Sequence, residues 1–416
     1  MTQIVLLSLV MTLVVNGVLH AEPSIGADGR RVLVGSTAFD IVPAQSVSIE
    51  NELYLLSSDK PDRWAKGTHL KGCLSKVTAL PDCLVPGSVV VKLPDGTVLE
   101  RNKDYLLDER WAALARVDSG RIAKDTQVLI SYRVGQMRLD QIQLDPHGKP
   151  ALVQGEPRKT SPQPPALLPG HTAFANIFMP YHARTVEDWQ LFRIGRPFPE
   201  PDKAEMQRRA SFIPKTLAKL RAGREVRIVT WGDSVTAGGD ASPGRAFPEL
   251  FTSRLQARFP SATIVLTNAG IGATNTSQRL PHLPDQVLLH RPDLVTIEFI
   301  NDMGFPDAVM RRNYVQAFSQ IRASGAEVIL ITPHFAMPEM MGRAHERGPE
   351  TRPNVQLLRI LANENTVALA DVSKRWEHLE SEGLPYITLL DNGINHPNDQ
   401  GHELFVKELL TFFPSP

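Results

Sequence analysis

The sequence predicts two architectures in one chain: a β-rich first half, sandwich-like or barrel-like, and an α/β second half on a mostly parallel sheet. Three observations carry this. Short runs of alternating apolar residues, divided by turn residues, fill positions 22 to about 195. From about residue 205 strands alternate with helices, the pattern of βαβ units whose sheet is covered on both faces. Between the last β run and the alternation lies the proline-rich stretch "EPRKTSPQPPALLPG", which predicts extended chain with little regular structure.

The elements follow in order. "MTQIVLLSLVMTLVVNGVLHAEPS" opens the chain, and its apolar run Ile4 to Val15 fits the hydrophobic region of a secretory signal. Small Ala21 before Glu22 places cleavage there, although only the amino terminus supplies positive charge near the start. The run is too short to span a bilayer comfortably. No later stretch is long and apolar enough to do so. Residues 1–21 are therefore expected to be removed, leaving a protein that is soluble, secreted or periplasmic, and free of the membrane.

"VSIENELYLLS", "GSVVVKLPDGTVL", "KDYLLDERWAALARV" and "TQVLISYRV" read as strands, and "QIQLDPHGKPALVQGEP" as two strands around a "DPHG" turn. This domain, 22–195, holds no constellation of chemical groups and is expected to be a scaffold, a binding module or an arm over a neighbouring site. The chain's two cysteines, Cys73 and Cys83, lie within it. In an exported chain such a close pair often forms a disulfide, worth about 3 kcal/mol or less for so short a loop, the alternative being two free buried thiols.

The second domain, 205–416, begins with a helix over "PDKAEMQRRASFIPKTLAKLRAG". "EVRIVTWG", "ATIVLTNAG", the end of "LPDQVLLHRPDLVTIEFIND", "EVILITPH" and "TVALADV" predict strands, with helices between them and a last one over "HELFVKELLTFF". Ligands of such sheets bind at the carboxyl ends of the strands.

Composition narrows the function. Hydrophobic residues make up 42% of the 416 and charged residues 22%, enough for real cores. Lysine plus arginine, 45, equals aspartate plus glutamate, 45. A net charge of zero argues against a nucleic-acid partner bound through phosphate attraction. Neither an "HExxH" spacing nor a "GxxxxGK" loop is present, so no metal or nucleotide cofactor is called for.

Four stretches at predicted strand ends carry chemistry. "GDSVT" puts Ser234 on a Gly-rich turn, and a serine becomes a nucleophile when a base takes its proton. "NAGIGATNT" offers backbone N–H groups free of side chains. "EFINDMG" places the amide of Asn301 where it suits a developing oxyanion. "DNGINHPNDQGH" carries His396, able to reach back over the strand ends.

Together and in this order the four stretches resemble the SGNH or GDSL hydrolase superfamily, over about residues 220 to 416. The resemblance implies a flavodoxin-like three-layer α/β/α sandwich. It also implies a serine esterase, in many members one that removes acetyl groups from carbohydrates. The expected substrate is thus a small-molecule or glycan ester. Ser234 matches the nucleophile and His396 the general base. The Ser234 N–H, Gly272 and Asn301 match the oxyanion hole, where losing one donor costs on the order of 10²–10³ in rate.

The chain departs from the family pattern in three places. Phe299 stands where a glycine is usual, and its ring either narrows the acyl pocket or packs behind the strand. An ungapped alignment on Asn268 puts Ala273 at the oxyanion glycine, whereas a one-residue gap puts Gly272 there; Gly272 is chosen. Gly393 occupies the position three before the histidine, where the family carries Asp. Asp391 is then expected to orient His396, the alternatives being Asn392 or a backbone carbonyl. His334 is assigned a structural or solvent-facing role, the alternative being substrate contact; Asp233 and Asp302 are assigned to loop hydrogen bonding, and His402 to the last helix, on the surface or packed. A rival from another class is a non-catalytic carbohydrate-binding or cell-surface protein on a retired hydrolase fold.

Overall fold

The structure, a computed structural model, describes residues 13–15 and 18–415. Most of the expected signal segment lies outside these residues; within it, Leu13–Val15 pairs antiparallel with Val18–His20. No helix among the described residues is long and apolar enough to cross a membrane.

Two compact units divide the chain, with two exchanges that the expected division at 195–205 does not contain. The first holds residues up to Cys73, Asp82–Arg196 and Ser381–Leu384; the second holds Leu74–Pro81, Pro197–Glu380 and Pro385–Pro416. The first unit is β-rich, and the strands among its described residues pair antiparallel. Arg138–Leu144 lies between Pro150–Val153 and Thr172–Met179, which in turn pairs with Leu191–Arg193. Ile142, Leu144, Ala175 and Ile177 of this sheet share a buried core with Val32 and Val34 of the sheet Ser24–Ile25, Arg31–Val34 and Thr37–Asp40. Cys73 and Cys83 are buried free thiols in this unit and not the expected disulfide. The Cys83 thiol is driven far up by its hydrogen bond with Cys73 and then by burial.

The second unit is a parallel sheet of five strands: β1 (Glu225–Gly232), β2 (Thr263–Gly270), β3 (Leu294–Glu298), β4 (Glu327–Ile331) and β5 (Ala368–Ala370), in the order β2-β1-β3-β4-β5. Alternate strand positions face opposite ways. Val229, Trp231, Val295, Ile297, Val328 and Leu330 share one core cluster with Met310, Tyr314 and Phe318 of helix Asp307–Ala323 and with Leu358 and Leu361 of helix Pro353–Glu364. Ile228, Leu294 and Ile329 point the other way. Elsewhere in the unit Phe247, opening helix Phe247–Arg258, stacks on Phe405 of helix Asp399–Leu410 with ring centroids 4.9 Å apart.

The single helix expected over 201–223 is two, Lys203–Ala210 and Pro214–Arg221. Pro214 lacks the N–H an uninterrupted helix needs and instead starts the second, where that N–H has no partner anyway. Phe299 is buried in the core cluster, edge-on to Trp231 at 4.8 Å, so its ring packs behind the strand. Register then sets the site: Gly232 pairs with both Gly270 and Glu298, so β1, β2 and β3 end level with one another.

Candidate active site

Three chain segments leave this common rim. After β1 the chain turns directly into a short helix, Ser234–Ala237, with Asp233 as its N-cap. The Asp233 carboxylate accepts from the Val235 N–H at 3.1 Å and from the Asn301 N–H at 2.9 Å, tying the β1 and β3 exits together. Gly232 is required by close approach: a Cβ there would lie 2.0 Å from Thr236 Oγ1 and 2.3 Å from the Glu298 carbonyl oxygen. Ser234 thereby takes the first helical position, part-exposed at the rim.

His396 comes from the loop before the last helix. The side-chain oxygen of Asn392 accepts from the N–H groups of Ile394, Asn395 and His396, each at 2.9 Å, and folds the loop back on itself. His334 supports it from β4's exit, its Nε2 2.9 Å from the Asn395 carbonyl. Burial holds His334 well below the usual histidine range, so it is a neutral structural residue. The imidazole of His396 is itself buried, with Nε2 2.9 Å from Ser234 Oγ.

Its other nitrogen corrects the sequence expectation. Nδ1 lies 2.6 Å from Oδ2 of Asp240, a buried aspartate six residues after Ser234 in the same Gly-rich turn. With both ring nitrogens engaged, Asp391 has no place on the ring. Asp391 instead donates its backbone N–H to the His396 carbonyl at 2.8 Å, and its carboxylate lies 3.8 Å from Lys76 Nζ. Asn392 likewise serves the loop backbone. Gly239 leaves room for the ring, since a Cβ there would meet His396 Cε1 at 2.8 Å and Nδ1 at 2.9 Å. Serine hydroxyl, imidazole and carboxylate form one hydrogen-bonded series, the arrangement that activates a serine.

The same segment also coincides with a family. Residues 230–404 match the model of the GDSL-like lipase/acylhydrolase family. That match takes in less than half of the chain, and over it the chain is similar to GDSL-like lipase/acylhydrolase domains. Over 108 residues the chain is 32% identical to an arylesterase of Vibrio mimicus, covering 25% of this chain and 53% of the relative. Over 137 residues it is 29% identical to the thioesterase 1/protease 1/lysophospholipase L1 of Escherichia coli (strain K12), covering 32% and 62%. The chain thus spans less than two thirds of the length of these relatives. Among solved structures it is similar to a two-domain esterase (CEX) active on acetylated mannans, at TM-score 0.42 and 19% identity over 48% of this chain and 52% of that one.

Of the remaining expected residues, Gly272 lies beside Ser234, and Asn301 is tied to the β1 exit through Asp233. A Cβ on Gly272 would lie 3.7 Å from that of Ser234, so the glycine borders the hydroxyl directly. Ala273 is in the left-handed region at φ 56°. The Asn301 amide donates one hydrogen to the Thr274 carbonyl at 3.0 Å; an amide nitrogen carries a second.

Behind the rim sit three buried carboxyls, Asp233, Glu298 and Asp302. Burial pushes Asp233 up to about 7, against the pull of the Asn301 and Val235 N–H groups. Burial and the neighbouring Asp233 raise Glu298 well above the usual carboxylate range, and Thr236 Oγ1 lies 3.1 Å from its Oε2. Asp302 is raised by burial and held back by the N–H and hydroxyl of Thr276, at 2.9 and 2.8 Å. Arg279 is aimed at backbone, its guanidinium donating to the Gly232 and Ala269 carbonyls at 3.1 and 2.8 Å. Among the described residues no group of three His, Cys, Asp or Glu side chains is placed to hold a metal ion.

Sequence inspection missed Asp240. The one available signal was an acid in the serine's own turn, just past two glycines that let the chain reverse.

Proposed function

We propose that this protein is a carboxylic ester hydrolase working through an acyl-enzyme on Ser234. The observation that carries the proposal is the unbroken series Ser234 Oγ, His396 Nε2, His396 Nδ1, Asp240 Oδ2, with separations of 2.9 and 2.6 Å at its two joints.

Asp240 accepts the Nδ1 proton and thereby fixes the tautomer whose Nε2 lone pair faces the hydroxyl. His396 takes the Ser234 proton as Oγ attacks the ester carbonyl. It returns that proton to the departing alcohol, leaving an acyl-serine. Water then repeats the sequence: His396 takes its proton, the hydroxyl adds to the acyl carbon, and Ser234 leaves with the proton restored. The oxyanion of each tetrahedral stage is assigned to the N–H groups of Ser234 and Gly272 and to the free hydrogen of the Asn301 amide. The Ser234 N–H belongs to the first turn of a helix, so it has no intrahelical partner to give up.

The acyl group we assign is acetyl and the alcohol a carbohydrate, outside the cytoplasm. Support comes from the apparent signal segment at 1–21 and from a polar rim of Gly272, Thr274 and Asn301, which suits a hydroxyl-rich leaving group. The names of the arylesterase and thioesterase relatives support acyl-ester chemistry over this domain.

The test is hydrolysis of p-nitrophenyl acetate by the pure protein and by Ser234→Ala. The expected result is turnover that falls by about 10⁴ or more in the variant. Equal rates in the two proteins would remove the esterase reading and leave the non-catalytic carbohydrate-binding one.

A further inference from the structure

We propose that the loop Leu74–Pro81 completes the catalytic relay by locking the Asp240 carboxylate, with Ser75 as the positioning residue. The inference rests on the assignment of Asp240 to His396 made above.

A carboxylate turns easily about its last bond, where the torsional preference is broad and two-fold. An acid inside the histidine's own loop would be held by that loop. Asp240 instead meets His396 across 156 residues of chain, from a turn where its own backbone sits at φ 61°. Something else has to fix which oxygen faces the ring and at what angle.

The loop does so with three donors. Ser75 Oγ and the Val77 N–H both donate to Asp240 Oδ1, each at 3.0 Å, leaving Oδ2 to His396. Lys76 Nζ donates to the Asp240 backbone carbonyl at 2.8 Å. The Ser75 hydroxyl also accepts from the Thr78 N–H at 3.0 Å, which directs its single proton at the carboxylate. The loop is itself tightly closed: Leu74 bridges Ala79, and the Ser75 N–H donates to the Thr78 carbonyl at 2.8 Å. It is built into the second unit although the residues on either side of it in the chain belong to the first. Ser75 and Val77 act on Asp240 through its carboxylate, whereas Lys76 Nζ also lies 3.8 Å from the Asp391 carboxylate.

The experiment measures kcat and KM on p-nitrophenyl acetate for the full chain, Ser75→Ala, Ser75→Thr, Asp240→Asn and the Ser75→Ala/Asp240→Asn double variant. A hydrogen bond to a charged group corresponds to a loss on the order of tenfold. Ser75→Ala is expected to lose about that factor in kcat with KM within about twofold, and Ser75→Thr to recover most of it. In the Asp240→Asn background Ser75→Ala is expected to cost nothing further, because the group it positions is gone. An unchanged kcat in Ser75→Ala, or the same loss with and without Asp240, would overturn the inference. If Ser75→Ala fails to fold, Ser75→Cys, a weaker donor at the same place, takes its place, with a smaller kcat loss that must likewise vanish in Asp240→Asn. Wild-type rates in Ser234→Ala and Asp240→Asn would instead bring down the esterase assignment itself. Lost activity in those two beside an unaffected Ser75→Ala would bring down only the loop's role.

Discussion

At the scale of single residues the decisive contact is the one at His396 Nδ1. Two aspartates compete for it on paper. Asp391 is near in sequence, yet its loop turns its carboxylate to Lys76, 3.8 Å away. Asp240 is distant in sequence and 2.6 Å away in space. We expect Asp240→Asn to lower kcat by about 10²–10⁴, since an amide can present N–H to the ring and favour the wrong tautomer. Asp391→Ala is expected to stay within about threefold, as loss of a part-exposed ion pair implies. Steady-state kinetics on p-nitrophenyl acetate check both, and a reversal of the two results would return the role to Asp391. The Ser234–His396 pairing was legible because each residue adjoins a recognisable strand or helix. The acid was not, because a spacing rule along the chain carries no information about which way a loop closes.

At the scale of elements, the helices that flank the site depend on buried neutral histidine. His402 Nδ1 accepts the N–H of Phe247, the first residue of helix Phe247–Arg258, at 3.2 Å. Burial lowers His402 to about 3, so the ring is neutral in the folded protein at ordinary pH. A lowered folded-state value means the contribution is complete above the unfolded value of 6.5 and is lost as pH falls toward about 3. At pH 5 the loss is on the order of 2 kcal/mol. His402→Gln keeps an acceptor but cannot titrate. Its urea midpoint is expected to fall less than that of the unaltered protein between pH 7 and pH 5; parallel falls would show that His402 is not the titrating group. The helices Phe247–Arg258, Asp307–Ala323, Pro353–Glu364 and Asp399–Leu410 lie where helices were expected, although the second and the last begin earlier than the apolar runs from Tyr314 and His402 suggested. The break at Pro214 was not expected: the apolar rhythm ran through a proline that ends one helix and starts the next.

At the scale of the whole molecule, the division into two units is not a single cut. Leu74–Pro81 folds with the second unit and Ser381–Leu384 with the first. A fragment 197–416 therefore contains Ser234, Asp240 and His396 but lacks Ser75 and Val77. We expect such a fragment, purified as a monodisperse species with native-like circular dichroism, to have a kcat no higher than that of Ser75→Ala in the full chain. A kcat equal to that of the intact protein would show the loop to be dispensable.

The sequence by itself determined the β-rich and α/β halves, the order of the sheet's strands along the chain, and the four stretches set at strand ends. These follow from local rules: periodicity, turn residues, and side chains placed by the strand they adjoin. Tertiary structure alone decided that Asp240 meets His396, that Phe299 packs behind the strand, and that a loop 165 residues before Asp240 supplies its hydrogen-bond donors. Those contacts depend on loop closure and on the register that levels β1, β2 and β3, and neither is written in the spacing of residues along the chain.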